Sequence, residues 1–277
     1  MKTWFITGAS RGFGARVAEL ALARGDNVVA TARNPRSAIE RLGDHANLLA
    51  SALDVTNEAQ AKAAADAAIE RFGRIDVLLN NAGFGLVGAV EEATGEEVEK
   101  LYRTNVFGLL AVTRAVLPSM RRARSGRILN ISSIGGYRGS AGFGVYCSTK
   151  FAVEGLSEAL HAELAPLGIH VTVIEPGFFR TDFLDASSLS VSAKPIADYA
   201  GTAGAVRTRA TNLNHAQPGD PDKLARVIVD FADAPDPPLR LPLGSDTVAA
   251  IEAKHASDSA ILAAWRAVSI STDFAQP

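Results

Sequence analysis

The sequence predicts an α/β fold in which one parallel, doubly wound sheet of about seven strands carries helices on both faces. Short apolar runs alternate along the chain with longer segments whose apolar residues recur at the helical period. That alternation is typical of parallel strands joined by helical crossovers. We expect a single domain over residues 1–277, because neither an internal repeat nor a linker divides the chain.

Composition limits the classes of partner and the compartment. The apolar fraction of 47% is ample for a core, and the net charge of -2 favours neither a nucleic acid nor an anionic membrane as partner. Cys147, the single cysteine, is expected to be a small core or interface residue in a protein of the reducing cytoplasm. We expect no secretion signal, because no charged, apolar and small-residue layout precedes the first strand. We expect no membrane span, because no apolar run reaches about 18 residues. The five histidines are scattered, so no metal site is predicted.

The first apolar run, Trp4–Ile6, leads into the glycine-rich stretch Thr7–Gly14 and then into a helix over about Ala15–Arg24. Its glycines, at positions 8, 12 and 14, allow a tight turn and the close approach of a ligand. The helix N-terminus then offers free N–H groups to a pyrophosphate. A plain glycine-rich loop is the alternative, but the order of strand, turn and helix favours a dinucleotide.

The second apolar run, Asn27–Arg33, ends where the adenosine ribose of a dinucleotide is bound. An acidic residue there binds the 2′-hydroxyl of NAD, whereas an arginine accommodates the 2′-phosphate of NADP. The run ends in Ala32 and Arg33 without an acid, and Arg11 supplies a second guanidinium. These residues predict NADP(H) as cofactor; the alternative is that both arginines are solvated surface side chains.

Two further strands are predicted to end in polar residues near the nucleotide. Leu48–Val55 carries Asp54, which either accepts a hydrogen bond from adenine or caps the helix predicted over Asn57–Phe72. Ile75–Gly83 ends in the stretch Asn80–Gly83, where small residues let the backbone pass close to a ligand. The side chain of the first asparagine is alternatively a brace between neighbouring strands.

A long helix is predicted over about Glu96–Arg122, and Asn105 interrupts its wide apolar face. An asparagine inside a helix competes for backbone hydrogen bonds, and a polar residue on an apolar face needs a partner. Asn105 is therefore either a satisfied core residue or part of a site.

The stretch from Ser133 to Lys150 carries side chains that can do chemistry together. Ser133 ends the buried run Arg127–Ser133, at the strand end where open α/β sheets place their sites. Tyr146 and Lys150 are one turn apart on a helix predicted to reach Leu164, so they share a face. We expect the ammonium to lower the pKa of the phenol from about 10, which would make it a general acid or base. An isolated match of this length is common by chance, so the rest of the chain must support it.

The last third of the chain shows weaker periodicity. A sixth strand is predicted over Ile169–Glu175, and the stretch Asp182–Gly219, rich in small and polar residues, is predicted to be a long loop acting as a lid. The remaining predicted elements are a helix at Pro221–Phe231, an edge strand at Pro237–Leu243 and an amphipathic helix at Ser245–Val268.

Taken together, these motifs resemble the short-chain dehydrogenase/reductase family. The matching stretches follow the family's order up to about residue 182: Thr7-Gly8-Ala9-Ser10-Arg11-Gly12-Phe13-Gly14, Asn80-Asn81-Ala82-Gly83, Asn105, Ser133, Tyr146-x-x-x-Lys150 and Pro176-Gly177-x-x-x-Thr181. The stretch Val112–Met120 looks most like the branch of 17β-hydroxysteroid and retinol-type dehydrogenases and related bacterial ketoreductases. The resemblance implies a Rossmann-type sheet.

The resemblance also implies roles for the site residues. Tyr146 would exchange a proton with a carbonyl or alcohol oxygen, Ser133 would hold that oxygen, and Lys150 would bind the nicotinamide ribose. Asn105 would support a water relay from Lys150. The implied cofactor contacts are Gly8, Ser10, Arg11, Gly12, Phe13, Gly14, Arg33, Asp54, Val55, Asn81, Ala82, Gly83, Tyr146, Lys150, Pro176, Gly177, Phe179 and Thr181. Apolar residues near these motifs, expected at the substrate or equally in the core, are Phe84, Tyr137, Phe143, Phe178 and Leu184, with Ile196 and Tyr199 in the lid.

The expected activity is that of an NADP-dependent carbonyl reductase or alcohol dehydrogenase acting on a ketone or secondary alcohol. The alternatives are an NAD-dependent alcohol dehydrogenase of the same family and a non-catalytic NADP-sensing regulator. The family's habit of pairing subunits through the helices that hold Asn105 and Tyr146 implies a homo-oligomer, either a dimer or a tetramer.

Overall fold

A computed structural model describes residues 1–274 of the chain. Its strands are β1 Thr3–Thr7, β2 Asn27–Ala32, β3 Leu48–Ala52, β4 Val77–Asn80, β5 Gly85–Val87, β6 Gly126–Ile131, β7 Ile169–Pro176, β8 Leu189–Val191 and β9 Arg240–Leu243. Its helices are α1 Gly12–Ala23, α2 Pro35–Leu42, α3 Glu58–Phe72, α4 Gly95–Tyr102, α5 Leu109–Ala123, α6 Gly144–Leu164, α7 Ala205–Leu213, α8 Pro221–Phe231 and α9 Ser245–Ile270.

Seven of the strands form one parallel sheet in the order β3-β2-β1-β4-β6-β7-β9. The order runs in opposite directions from β1 and from β4, so a topological switch point lies between these two strands. This architecture confirms the predicted fold class. The edge strand predicted over Pro237–Leu243 is also present, because β9 pairs with β7 alone and its Pro242 lies at the sheet edge.

Both faces of the sheet are covered by helices. Trp4 and Ile6 of β1 pack with α1 and α8 on one face, whereas Phe5 between them packs with α3 and α5 on the other. All three side chains are fully buried, as the alternation of a strand requires when both faces are covered. The carboxyl ends of the strands therefore form the accessible edge of the sheet.

The helix predicted over Glu96–Arg122 is interrupted by a π-helical segment, Arg103–Gly108, between α4 and α5. Such a segment holds an extra residue in the helix and is often found at functional sites. Asn105 lies inside it and is buried. The extra residue explains how a polar side chain enters an apolar face that otherwise follows the regular period.

The segment Asp182–Gly219 is not the long loop that the sequence predicts. It contains β8, which pairs with β5 in a separate two-stranded parallel sheet, and helix α7 with a π-helical turn before it. The sequence analysis also missed α2, whose N-cap Asn34 accepts a hydrogen bond from the backbone N–H of Arg36. Short elements of three to nine residues have too few apolar positions to show a period.

The C-terminal helix α9 also differs from its prediction as an amphipathic helix. Thr247 and Ala250 are its buried residues, and every position from 255 to 270 is exposed. Across residues 1–274, no helix combines the length and apolar character needed to cross a bilayer.

Candidate active site

One large cavity, of about 1110 Å³, opens at the carboxyl ends of the sheet strands. It brings together most of the predicted site residues, namely Gly8, Ser10, Arg11, Gly12, Phe13, Arg33, Asp54, Val55, Asn81, Ala82, Gly83, Phe84, Ser133, Phe143, Tyr146, Lys150, Pro176, Gly177, Phe178, Phe179, Thr181 and Leu184. Gly14, Asn105 and Tyr137 are not among the lining residues. The predicted cofactor and substrate residues therefore face one continuous space.

The glycine-rich turn between β1 and α1 depends on its glycines for two physical reasons. Gly8 and Gly12 have φ values of +66° and +59°, a region that other residues rarely adopt. A Cβ on Gly14 would lie 2.6 Å from both the Gly8 carbonyl oxygen and the Asn81 amide nitrogen, so Gly14 serves close packing rather than the ligand. Beside Gly12 there is open space within 4 Å, which leaves room for a phosphate at the N-terminus of α1.

Asn81, which follows β4, braces this turn. Its side-chain amide donates to the carbonyl oxygens of Thr7 (2.9 Å) and Gly8 (3.2 Å), and its backbone N–H donates to the Thr7 hydroxyl at 2.9 Å. Asn80 instead donates to Asn130 on the neighbouring strand β6 at 2.9 Å. The structure thus assigns the strand-bracing role to Asn80 and the turn-bracing role to Asn81.

The end of the cavity near β2 and α2 is lined by basic and polar side chains. Arg33 is exposed at the end of β2, and Asn34 and Ser37 from the first turn of α2 line the same region. Arg11 also lines the cavity, but its guanidinium donates to the Ser187 carbonyl oxygen at 2.7 Å. A helix N-terminus beside a guanidinium is a favourable environment for a phosphate. Sequence reasoning missed Asn34 and Ser37, although an N-cap followed by proline was there to be recognised.

The two possibilities for Asp54 are resolved in part by its neighbours. Its Oδ1 accepts from the backbone N–H (2.9 Å) and the hydroxyl (2.8 Å) of Thr56, and it lines the cavity. The cap of α3 is Asn57, whose side chain accepts from the backbone N–H of Gln60 at 3.1 Å. Asp54 is therefore not the helix cap.

Tyr146 and Lys150 lie in the first two turns of α6, and both are buried. Lys150 Nζ donates to the Ile131 carbonyl oxygen at the end of β6 (2.8 Å) and lies 5.8 Å from the centre of the Tyr146 ring. Burial lowers the pKa of Lys150 from 10.5 to about 8, and the nearby charge of Glu154 opposes that change. Lys150 keeps its ammonium at neutral pH, but burial makes this charged form less favourable than it is for a lysine in water.

The expectation that Lys150 lowers the pKa of Tyr146 is wrong for this structure. Burial raises the pKa of Tyr146 well above its usual value of 10, and a hydrogen bond with Ser133 opposes that rise. The cost of burying a phenolate outweighs the attraction of an ammonium that points at the Ile131 carbonyl instead. At neutral pH the buried phenol therefore keeps its proton.

Ser133 faces Tyr146 from the loop after β6. Its Oγ accepts a hydrogen bond from the backbone N–H of Gly135 at 3.0 Å. That contact fixes the side chain while leaving the hydroxyl hydrogen available to a third group. Tyr146 and Ser133 can thus donate two hydrogen bonds to one oxygen atom placed between them.

Asn105 lies behind Lys150 and is fully paired with protein groups. Its amide donates to the Phe84 carbonyl oxygen (2.9 Å) and the Thr149 hydroxyl (3.2 Å), and its Oδ1 accepts from the Phe84 N–H at 3.1 Å. A Cβ on Gly83 would lie 3.1 Å from Asn105 Oδ1 and 3.9 Å from Lys150 Nζ. Asn105 therefore fixes the backbone after β4, next to the Lys150 ammonium.

Below Lys150, a buried ion cluster ties α6 to the sheet. Arg240 Nη1 on β9 contacts Glu154 of α6 at 2.5 Å and Glu175 of β7 at 2.8 Å. Burial raises the pKa of both carboxyl groups, that of Glu154 to about 7. Glu154 is one helical turn beyond Lys150, so its charge acts directly on the lysine.

Tyr137 packs on the outer side of this ion cluster and does not line the cavity, although the sequence predicted it at the substrate. The Arg240 guanidinium lies 5.4 Å from the centre of its ring, and its hydroxyl contacts His255 of α9. The three-residue 3₁₀ turn Ile134–Gly136 follows Ser133 and directs Tyr137 away from the space that Ser133 faces.

The end of the cavity around Tyr146 is aromatic. Phe143 and Phe183 lie with ring centres 6.1 and 5.6 Å from that of Tyr146, and Phe84 and Leu184 complete the apolar wall. Phe183 was missed by sequence reasoning, although it stands beside Leu184 in the predicted lid. Cys147 also lines the cavity; burial raises the pKa of its thiol, which suits a core residue and not a nucleophile.

The segment 182–219 is fastened over the site by Glu92, which precedes α4. The buried Glu92 carboxylate accepts from Arg207 Nη1 of α7 (2.6 Å) and from the backbone N–H groups of Ile196 and Ala89 (2.8 and 2.7 Å). These contacts lower the pKa of Glu92 from 4.5 to about 2, with the Arg207 hydrogen bond as the largest cause. Tyr199 donates to Glu91 at 2.5 Å, so the predicted lid residues Ile196 and Tyr199 anchor the segment and do not line the cavity.

One group in the same segment has metal-ligand spacing, which the sequence did not predict. Ligand atoms of Asp182, Asp185 and His215 all lie within 4.8 Å of one another. His215 contacts Asp185 at 3.2 Å, and Asn214 also contacts Asp185. The carboxylate and imidazole therefore partner each other on a largely exposed surface.

Comparison with known proteins places this geometry in a family. The family model described as short chain dehydrogenase matches residues 2–190. An oxidoreductase named BOA17 from Botryotinia fuckeliana is 38% identical over 98% of this chain and 99% of its own length. A 3-ketodihydrosphingosine reductase from Bacteroides thetaiotaomicron is 41% identical over 86% of each chain. The chain belongs to the short-chain dehydrogenase/reductase family, as the sequence motifs predicted, and is an oxidoreductase of that family.

Solved structures agree with this assignment. A short-chain dehydrogenase from Streptomyces avermitilis is 42% identical and superposes with a TM-score of 0.90 over 99% of this chain and 100% of its own. A structure titled ElxO with NADP bound is 26% identical, with a TM-score of 0.73 over 90% of this chain and 99% of its own. A Burkholderia phymatum family member in complex with NAD is 23% identical, with a TM-score of 0.80 over 100% of this chain and 97% of its own, and shows the fold alone. The cofactor class of the family is NAD(P)(H).

Proposed function

We propose that this chain is an NADP-dependent carbonyl reductase or alcohol dehydrogenase that acts on a ketone or secondary alcohol. One observation carries the proposal: Ser133, Tyr146 and Lys150 lie in the same cavity as Arg33 and the N-terminus of α2. The first set suits a carbonyl oxygen, and the second suits a 2′-phosphate. Residues 1–277 act as one dinucleotide-binding domain, with 182–219 as its substrate lid.

The residues present fit a dinucleotide along the whole cavity. The open space at Gly12 and the N-terminus of α1 suit the pyrophosphate, and Asp54 and Val55 line the adenine end. Asn81, Ala82 and Gly83 line the middle, and Pro176, Gly177, Phe179 and Thr181 line the nicotinamide end. The rings of Phe13 and Phe179 pack nearly perpendicular to each other with centres 5.7 Å apart, which connects the glycine-rich turn to the segment after β7.

The protein's part in the reaction is to position the carbonyl and to move one proton. The bound nicotinamide supplies or accepts the hydride at the carbonyl carbon. Ser133 and Tyr146 donate hydrogen bonds to the oxygen, where negative charge develops as the carbon is reduced. Tyr146 then transfers its proton to that oxygen, and in the reverse direction it takes the alcohol proton. Its raised pKa keeps Tyr146 protonated at neutral pH, so the phenol carries the proton that reduction requires.

Lys150 and Asn105 support this step from behind. The Lys150 ammonium binds the ribose next to the nicotinamide, and its pKa of about 8 lets it gain or lose a proton under ordinary conditions. Asn105 holds the backbone at Phe84 beside the lysine, where a water chain to solvent would begin. This arrangement would let Tyr146 regain its proton by way of Lys150 after each turnover.

The substrate class follows from the wall of the cavity. Phe84, Phe143, Phe183 and Leu184 favour an apolar ketone of moderate size. The Bacteroides relative is named as a reductase of a keto compound, which supports reduction of a ketone. We further propose a homo-oligomer that uses the α5 and α6 side, where Phe107 and Phe151 are exposed.

The test compares NADPH and NADH by isothermal titration for the wild type, Arg33→Ala and Arg36→Ala. Arg36 is exposed on α2 but does not line the cavity, so it is the matched control. We expect the wild type and the control to prefer NADPH by tenfold or more, about 1.4 kcal/mol, and Arg33→Ala to lose that preference. Equal binding of both nucleotides by the wild type would favour the NAD-dependent alternative.

A panel of aryl and alicyclic ketones with NADPH tests the reaction itself. Oxidation of NADPH with at least one member, at a rate that depends on ketone concentration, is the expected result. NADPH binding without turnover on any carbonyl would favour the non-catalytic NADP-sensing regulator.

A further inference from the structure

Helix α9 leaves the body of the protein after its third turn, where His255 contacts Tyr137. Its base is attached firmly: Thr247 and Ala250 are buried, and Asp246 accepts a hydrogen bond from the backbone N–H of Phe178 at 2.8 Å. From His255 onwards, every residue of the helix is exposed. We call residues 255–270 the α9 arm.

The surface of the α9 arm is unusually apolar for a segment in water. Ile261, Leu262, Trp265 and Val268 are each 58 to 60% exposed. Alanines fill much of the opposite side of the helix, and the charged side chains of the arm beyond His255 are Asp258 and Arg266. A helix that is apolar around most of its circumference is normally buried.

The exposed area is of the size that a specific interface covers. Trp265 alone has an area of about 150–250 Å², more than half of it exposed, and Ile261, Leu262 and Val268 are exposed to a similar fraction. A standard interface buries about 800 Å² per partner. The arm is therefore large enough to be the main part of a subunit contact.

The charges of the arm indicate a second copy of this chain as the partner. Asp258 lies four residues before Leu262 and Arg266 four residues after it, and one helix face carries all three. In an antiparallel pair with its two-fold axis at Leu262, Asp258 of each copy lies opposite Arg266 of the other, and Trp265 lies over the small residue Ser259. Lys254 already contacts Asp258 within the helix, whereas Arg266 has no acidic partner within residues 1–274.

A lipid surface fits the arm less well. Helices that lie in the membrane interface carry a lysine- and arginine-rich polar face opposite their apolar face. The arm instead has one arginine balanced by Asp258, with small residues opposite the large ones. Self-pairing uses both charges, while a membrane would leave Asp258 unfavourably placed near anionic head groups.

We infer that the α9 arm pairs antiparallel with the α9 arm of a second copy, with Leu262 at the two-fold axis. The contact is isologous, which means that the same surface of both copies takes part. If a first residue of one copy contacts a second residue of the other, the second residue of the one copy also contacts the first residue of the other. It is separate from the α5 and α6 surface and would add to an assembly formed there.

A cysteine at the axis tests the geometry directly. Leu262→Cys places two thiols together in the pair, whereas Ala264→Cys places them on opposite outer sides of it. The native Cys147 is only 3% exposed, so the introduced thiol reports alone. We expect mild oxidation to convert most of Leu262→Cys, but little of Ala264→Cys, into a disulfide-linked dimer. Equal cross-linking of the two variants would overturn the proposed pairing.

Mass in solution tests the interface independently. Trp265→Asp introduces a charge into the pair, and Val227→Asp introduces one at an exposed valine on α8 as the matched control. We expect sedimentation equilibrium to show half the wild-type mass for Trp265→Asp and the full mass for Val227→Asp, with unchanged circular dichroism and NADPH binding in both. A Trp265→Asp protein that keeps the wild-type mass would refute the inference.

Discussion

Replacing Lys150 by methionine should stabilise the protein while removing its activity. The folded chain lowers the pKa of Lys150 from 10.5 to about 8. Since each pKa unit is worth about 1.36 kcal/mol, keeping this ammonium buried costs on the order of 3 kcal/mol at pH values below about 8. Methionine has a similar length and no charge, so it avoids this cost. The substitution also removes the bond to the Ile131 carbonyl oxygen, worth about 1 kcal/mol, which leaves a net gain of about 2 kcal/mol.

The gain in stability of Lys150→Met over the wild type should decrease as the pH rises. The unfolded lysine releases its proton near pH 10.5 and the folded one near pH 8. Between these values the unfolded state binds more protons, so the stability of the wild type rises with pH relative to the variant. We expect the difference in unfolding free energy to fall from about 2 kcal/mol at about pH 7 to near zero at about pH 10.

Urea unfolding of the wild type, Lys150→Met and Lys223→Met at both pH values measures this difference. Lys223 is exposed on α8 and serves as the control for loss of a lysine. A Lys150→Met protein that is less stable than the wild type at about pH 7 would refute the reasoning. So would a gain that stays constant between the two pH values, because the ammonium would then not be the source of the cost.

Three further predictions concern the proton donor, the lid anchor and the glycine-rich turn. Tyr146→Phe should fold and bind NADPH but lose a factor of about 10² to 10⁴ in kcat on a ketone; near-wild-type turnover would contradict its role. Glu92→Gln should make the segment 182–219 more sensitive to limited proteolysis and lower Tm. Folding lowers the pKa of Glu92 from 4.5 to about 2, so its stabilising contribution is present above pH 4.5 and is lost as the pH falls from 4.5 to about 2. The Tm difference between the wild type and Glu92→Gln should therefore shrink over that pH range. Gly8→Ala should cost about 1–2 kcal/mol of stability, because a residue with a Cβ is strained at a φ of +66°. It should also weaken NADPH binding, because the new Cβ would meet Asn81 and Ala82 at 3.1 and 3.2 Å. Gly139→Ala, where the new Cβ lies in open space, should leave stability in urea and NADPH binding by titration unchanged.

The elements that sequence reasoning predicted well are those whose signal is local and repeated. The strand, turn and helix around Gly8 and Gly12 follow from apolar period and glycine placement alone. Asn105 was recognisable as an anomaly because an amide breaks an apolar face. Its partners, Phe84 and Thr149, lie 21 and 44 positions away and could not be read from the chain.

Quantities that depend on burial were the ones sequence reasoning got wrong. The spacing of Tyr146 and Lys150 correctly predicted that they share one face of a helix. It did not predict that the pKa of Tyr146 is raised, because spacing does not show how deeply the two groups are buried. Tyr137 was placed at the substrate because it follows Ser133 closely, yet one 3₁₀ turn directs it to Arg240. The helix α9 was expected to bury one face, but every position of its arm is exposed, although His255 at its base contacts Tyr137.

The position of Arg240 has a consequence for how the protein is made. Its strand β9 is the last strand of the sheet along the chain, and each of its residues pairs with a β7 residue 67 positions earlier. During synthesis the N-terminal strands can associate first, so α6 and β7 can form while Glu154 and Glu175 still lack their cation. Two buried carboxyl groups without a cation are unfavourable beside each other. The ion cluster that ties the helix of Tyr146 and Lys150 to the sheet is therefore complete only after β9 has been translated, and we expect a chain truncated before β9 to be sensitive to proteolysis near these two residues.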